Sequence, residues 1–298
     1  MLIIACPGQG SQTPGFLSPW LEAYPQLEAT LASLGEACEA DLVRLGTRAA
    51  EEEIKDTANA QRLIVGSALA IFRTVFAEEK IDGVLGHSVG EYAAAAIAGV
   101  ISDHEAMQLV ARRADAMAEA AAKTATSMAA VLGGDEIEVL AAIEQLELEP
   151  ANFNGSGQIV AAGAKADIQK LVESPPEKAR VIELKVAGAF HTSFMESAME
   201  PVARLAESFS SANPKMKLWS NVDGGQVHDG GAFLSSLVSQ ISSPVRWDRC
   251  MTSLSGLDAR VIELPPAGAL SGLIKRGVSD ATAIALKTPA DVKKVRIN

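Results

Sequence analysis

The chain has 298 residues, enough to bury a sizeable core in one large domain or in one with a smaller domain inserted. It is 48% hydrophobic and 21% charged, an ordinary globular balance, and its formal net charge of −11 offers nucleic acid no electrostatic footprint. Cys6, Cys38 and Cys250 are odd in number and form no CxxC pair, which fits reduced thiols rather than a disulfide framework.

The opening Met1–Cys6 (MLIIAC) is an apolar run stopped by Pro7-Gly8, and it reads as a buried strand entering a loop. It carries no basic residue and is too short for a signal peptide. The longest apolar run, Ala93–Ile101, is about half of the ~18 residues that a membrane span needs. A soluble, cytoplasmic protein without membrane contact is expected. A second strand, over Ile81–Leu85, runs straight into Gly86-His87-Ser88-Val89-Gly90, and the alanine-rich Glu91–Gly99 that follows has helical composition. Strand, tight glycine turn and helix in that order predict an α/β arrangement on a parallel sheet.

Ser102-Asp103 then resemble the cap of a helix reaching Ala122, with Glu105 in its first turn. The apolar stripe of this helix runs through Ala106, Val110 and Met117, and Arg113 falls on the same stripe. A solvated guanidinium belongs on the opposite face, so Arg113 requires a buried partner: a ligand carboxylate or an internal salt bridge.

From Thr124 to Lys185 the texture changes. A strand at Met128–Leu132, a helix at Glu136–Leu146, a strand at Gln158–Ala162, a helix at Lys165–Val172 and a strand at Arg180–Val186 follow one another. That β-α-β-α-β order predicts a compact ferredoxin-like insert. After His191 the α/β texture returns, with strands at Lys217–Ser220 and Arg260–Leu264. The expected architecture is therefore a large α/β-hydrolase-like domain with a parallel sheet (1–123 and 188–298) and a small inserted ferredoxin-like α+β subdomain (124–187).

The Gly86–Gly90 pentapeptide is a G-x-S-x-G sequence between a strand and a helix. The flanking glycines allow a strained turn that lifts the Ser88 hydroxyl into the open and aims the Val89 N–H at a developing oxyanion. The bland alternative is a glycine-rich turn with an incidental serine. A serine nucleophile needs a base, and the chain offers only four histidines. His87 adjoins Ser88 and should point away, His104 opens the exposed end of a helix, and His228 lies in the polar stretch Asp223–Gly231. His191, where a strand gives way to a loop, remains as the candidate base, with a satisfied structural histidine as the alternative. No Asp or Glu stands in a convincing position to complete a hydrolase triad.

At this point the sequence resembles the malonyl-CoA:acyl carrier protein transacylase family over nearly its whole length. Pro7–Gln12 (PGQGSQ), Gly86–Tyr92 (GHSVGEY), Arg113 in LVARRADAM, Ala189–Met195 (AFHTSFM) and Ser271–Arg276 (SGLIKR) match family motifs in order. The resemblance implies that Ser88 is acylated, that His191 is its base and acid, and that the backbone N–H groups of Gln9 and Val89 form the oxyanion hole. It further implies that Arg113 grips the malonyl carboxylate and that the backbone carbonyl of Gln240 orients the histidine, which accounts for the missing acid. Val89 and Phe190 correspond to positions that go with malonyl selection. The implied partners are malonyl-CoA as substrate and an acyl carrier protein, with no metal or cofactor, and a monomer is expected. Lys275, Arg276 and Lys287 are candidate contacts for an acidic carrier protein, with a plain solvated face as the alternative. Two departures stand out: Ser243 where the family usually has Asn, and Pro265-Pro266-Ala267-Gly268 in place of a commoner turn.

Overall fold

Two sheets of different kind organise the chain. A computed structural model describes residues 1–296, so the last two residues of the expected large domain lie outside the described residues. The strands are β1 (Leu2–Cys6), β2 (Gly83–Gly86), β3 (Thr126–Gly133), β4 (Glu149–Gly155), β5 (Gln158–Ala164), β6 (Ala179–Glu183), β7 (Lys217–Trp219), β8 (Arg260–Glu263) and β9 (Thr282–Ala285).

The larger sheet has the order β7-β2-β1-β8-β9 and is parallel throughout. Its central strand, LIIAC, is apolar along its whole length because both faces are covered, so no alternation is needed. Three long stretches of helix pack around it: Thr57–Val75, Gly90–Ala98 and Asp103–Lys123. The last begins at a capping box, with the Ser102 hydroxyl accepting from Glu105 N–H and the Glu105 carboxylate accepting from Ser102 N–H. No helix among the described residues is long and apolar enough to cross a membrane.

The smaller sheet is antiparallel, in the order β4-β5-β3-β6, with helices Glu136–Gln145 and Lys165–Glu173 in its β-α-β-β-α-β connection. This is the ferredoxin-like arrangement, but it contains a strand, β4, that the sequence reading lacks. The stretch Asn152-Phe153-Asn154 has poor strand propensity, and the tertiary setting overrides it. The β4 backbone pairs with β5 and also with the segment at Val245: Phe153 N–H donates to Val245 O at 2.9 Å, and Val245 N–H to Ala151 O at 2.9 Å. The strand expected over Arg180–Val186 stops at Glu183; Leu184 N–H still donates to Met128 O, and Leu184–Val186 line a cavity as the chain leaves the sheet. Between Pro7 and Ile81, where no element is expected from sequence, the chain forms five helices, of which Thr57–Val75 is the longest.

Candidate active site

The carboxyl ends of three neighbouring parallel strands converge on one spot, as open α/β sheets characteristically arrange. β1 runs into Pro7–Gln9, β2 into His87-Ser88, and β7 into Ser220-Asn221. Ser88 adopts φ 53°, the left-handed region, at the strand-to-helix turn. Glycine is needed on either side because the backbone is crowded. A Cβ on Gly86 would lie 2.2 Å from the Gly90 carbonyl carbon, and one on Gly90 would lie 2.3 Å from Cys6 O. The Ser88 N–H donates to Asn221 Oδ1 at 2.8 Å, which ties the strained turn to the loop after β7.

The Ser88 hydroxyl meets His191 across 2.7 Å, Oγ to Nε2. The other ring nitrogen, Nδ1, lies 2.8 Å from the backbone oxygen of Gln240. A carbonyl only accepts, so Nδ1 carries the proton and the Nε2 lone pair faces the serine. Burial, reinforced by the positive Arg113 nearby, holds His191 down to about 3, so the ring is neutral and able to take a proton. The other histidines are engaged elsewhere or exposed. His87 Nε2 lies 3.0 Å from Asn154 Oδ1, His104 lies 3.0 Å from Ser33 Oγ, and His228 is exposed.

Arg113 is only 1% exposed. It donates to Gln61 Oε1 at 2.5 Å, Gln240 Oε1 at 3.2 Å and Ser88 Oγ at 3.3 Å, and it sits 5.6 Å over the Tyr92 ring. Its hydrogen-bond acceptors among the described residues are all neutral, and its Nε–H has no partner among them. Desolvation lowers the pKa of this buried cation. The buried Glu91 acts electrostatically on this cation, but burial pushes its carboxyl up to about 8 against the opposing effects of Asn221 N–H, Gln240 and Arg113, so it balances the guanidinium poorly. A buried guanidinium with spare donors beside a serine hydroxyl is a ready receptor for a carboxylate.

A cavity of about 330 Å³ opens over these groups. Gln9, Val89, Phe190 and Met117 line its wall beside Ser88, His191 and Arg113, and Lys55 and Lys185 stand exposed at its edge. The backbone N–H groups of Gln9 and Val89 donate to no other group among the described residues. Lys275, Arg276 and Lys287 are not among the lining residues. Among the described residues no cluster of three or more His, Cys, Asp or Glu side chains is arranged to hold a metal ion. Ser243, the departure from the family pattern, donates its N–H to the same Gln240 carbonyl at 3.3 Å. Sequence reasoning missed Gln61, Glu91, Asn154, Asn221 and the two edge lysines. Gln61 alone had a local signal, a polar side chain within the apolar part of an amphipathic helix.

The acyl transferase domain family matches residues 4–295. A malonyl CoA-acyl carrier protein transacylase of Mycobacterium tuberculosis (strain H37Rv) is 48% identical over 300 aligned residues, covering 99% of each chain. The crystal structure of MCAT from M. tuberculosis superposes with a TM-score of 0.93 over 100% of both chains. A malonyl-transacylase solved in complex with its type II PKS acyl-carrier protein is 29% identical, with a TM-score of 0.92 over 98% of both chains.

Proposed function

The chain belongs to the acyl transferase domain family, and from that premise we propose that it moves a malonyl group from malonyl-CoA to the phosphopantetheine thiol of an acyl carrier protein, through a malonyl-Ser88 intermediate. The observation that carries this reading is the position of Arg113, whose guanidinium lies 3.3 Å from the Ser88 oxygen at the bottom of the cavity. In a malonyl thioester the free carboxylate is only one methylene beyond the carbonyl carbon that serine attacks. A carboxylate receptor beside the nucleophile therefore suits this acyl group, and an acetyl group would leave the cation unpaired.

In the first half-reaction Ser88 Oγ bonds to the thioester carbonyl carbon while His191 Nε2 accepts its proton. The Gln240 carbonyl, 2.8 Å from Nδ1, stabilises the imidazolium that forms. The free N–H groups of Gln9 and Val89 receive the oxyanion. The carbon–sulfur bond then breaks, and His191 returns the proton to the departing thiolate. The second half-reaction runs the same steps with the carrier-protein thiol as nucleophile, restoring the free serine. Val89 and Phe190 bound the acyl end of the cavity, consistent with selection for a small dicarboxylic group. The product serves fatty acid or polyketide synthesis.

Intact-mass measurement tests the proposal. Protein treated with malonyl-CoA should gain one malonyl increment, lose it on addition of a holo acyl carrier protein, and show no increment in Ser88→Ala. Release of free malonate instead of transfer to the carrier would make the chain a serine hydrolase or thioesterase. A full-strength adduct in Ser88→Ala would end the serine assignment.

A further inference from the structure

Beneath the Ser88 turn, Glu91 is 1% exposed and is not among the residues that line the cavity. Burying a carboxyl group is unfavourable unless its oxygens are hydrogen-bonded, and both oxygens of Glu91 are. Oε1 accepts from the Asn221 backbone N–H at 2.7 Å, and Oε2 accepts from Gln240 Nε2. Each of these neighbours in turn holds half of the site. Asn221 accepts the Ser88 N–H on Oδ1 at 2.8 Å and donates Nδ2 to Gly86 O at 2.7 Å, so it grips the strained turn on both sides. Gln240 offers its backbone oxygen to His191 Nδ1 at 2.8 Å and its Oε1 to Arg113 at 3.2 Å, and its Nε2 also reaches Ser88 O at 3.1 Å. One carboxyl group thus joins the two residues, Asn221 and Gln240, that hydrogen-bond to the serine turn, the histidine and the arginine.

We propose that Glu91 is a positioning residue for acyl transfer: by tying Asn221 and Gln240 to one point, it sets the Ser88 turn and the carbonyl that orients His191 in mutual register. The proposal rests on the transferase reading above and assigns Glu91 no contact with substrate. Its chemistry calls for a carboxyl group. In either protonation state each carboxyl oxygen retains a lone pair for an N–H, whereas an amide nitrogen has none. In Glu91→Gln the side chain keeps its volume, but its NH2 must face either the Asn221 N–H or Gln240 Nε2. Gln240 can satisfy that NH2 only by turning its own amide, which would aim Nε2 at Arg113.

The test is pre-steady-state acylation of Glu91→Gln by malonyl-CoA and by acetyl-CoA, alongside the melting temperature. A misplacement of reacting groups by an ångström or less is worth up to about 100-fold in rate. The expected result is a fall of roughly 10- to 100-fold in the maximal acylation rate for both substrates. The apparent KM and the malonyl-to-acetyl ratio should stay within about twofold of wild type, since Arg113 and the cavity wall remain. A folded Glu91→Gln protein that acylates at the wild-type rate would overturn the proposal. So would a loss confined to malonyl-CoA, which would make Glu91 part of carboxylate recognition instead. Should that variant fail to fold, Asn221→Ala removes the Ser88 N–H acceptor while keeping the backbone donor to Glu91. It should give the same uniform fall, and full activity there would equally overturn the role. The two readings fail separately: no adduct on wild-type protein sinks the transferase reading, whereas a wild-type adduct matched in rate by Glu91→Gln sinks only the positioning role.

Discussion

The two ends of the cavity are built on opposite principles. At the bottom, Ser88, His191, Arg113 and Gln240 are linked by hydrogen bonds between 2.7 and 3.3 Å, Glu91 is bonded to Asn221 and Gln240, and Arg113, Glu91, Gln240 and His191 are all buried. At the edge, Lys55 and Lys185 are exposed, and Lys55 is ion-paired to the exposed Glu51. Charge removed from water acts strongly at low effective dielectric, while exposed charge is screened by solvent and salt. The bottom should therefore decide which acyl group reacts and how fast. The edge should only modulate how readily anionic substrates arrive.

Four measurements can break that contrast. The largest effect belongs to His191→Ala, which removes the base from the Ser88 hydroxyl. Single-turnover acylation should fall by roughly 100- to 10,000-fold, and a loss below tenfold would mean that another group takes the proton. Next comes Arg113→Ala, where a buried hydrogen-bonded ion pair with the malonyl carboxylate would be lost. Malonyl transfer should drop by about two to three orders of magnitude while acetyl transfer holds or rises. Arg113→Lys should recover part of it, because an ammonium lacks the bidentate fork. The quantity to follow is the malonyl-to-acetyl ratio of acyl-enzyme, and an unchanged ratio in folded protein would leave Arg113 a purely internal role.

Lys185→Glu at the edge should be far milder, a roughly threefold rise in KM for malonyl-CoA at low salt that fades at high salt. A comparable fall in kcat would show that the edge is coupled to the chemistry after all. The smallest effect expected is in the pH profile. His191 stays neutral until about pH 3, so acylation by folded protein should be level from pH 7 to 4.5. An ordinary histidine base near 6.5 would lose about 100-fold over that interval. The same shift works against stability. The unfolded chain takes up a proton as pH falls through 6.5, while folded His191 declines it until about 3, so the melting temperature should fall progressively across that window. A break in the acylation rate near pH 6.5 would mean that the histidine is far better solvated than its surroundings indicate.

How much of this was legible beforehand depends on whether the signal was local. The Gly86–Gly90 turn could be read because strand, strained serine, crowded glycines and helix are consecutive residues obeying short-range steric rules. The Ser102 cap and the misplaced Arg113 were legible for the same reason, since a helix repeats its faces every few residues. The ferredoxin-like connection was read short by one strand, because Asn152 and Asn154 contradict strand propensity. Asn154 is bonded to His87, and Asn152 lines the cavity.

His191 could be proposed from sequence by elimination and resemblance, but its protonated nitrogen follows only from a carbonyl 49 residues away. The sequence by itself determined the Ser88 turn, the parallel sheet beneath it and the arginine that must find a partner. Only the tertiary structure decided what holds them together. Glu91 meets Asn221 across 130 residues and Gln240 across 149, and such pairings leave no periodicity in the chain. They exist because burying a carboxyl group forces it to find donors, and folding alone determines which donors are near enough.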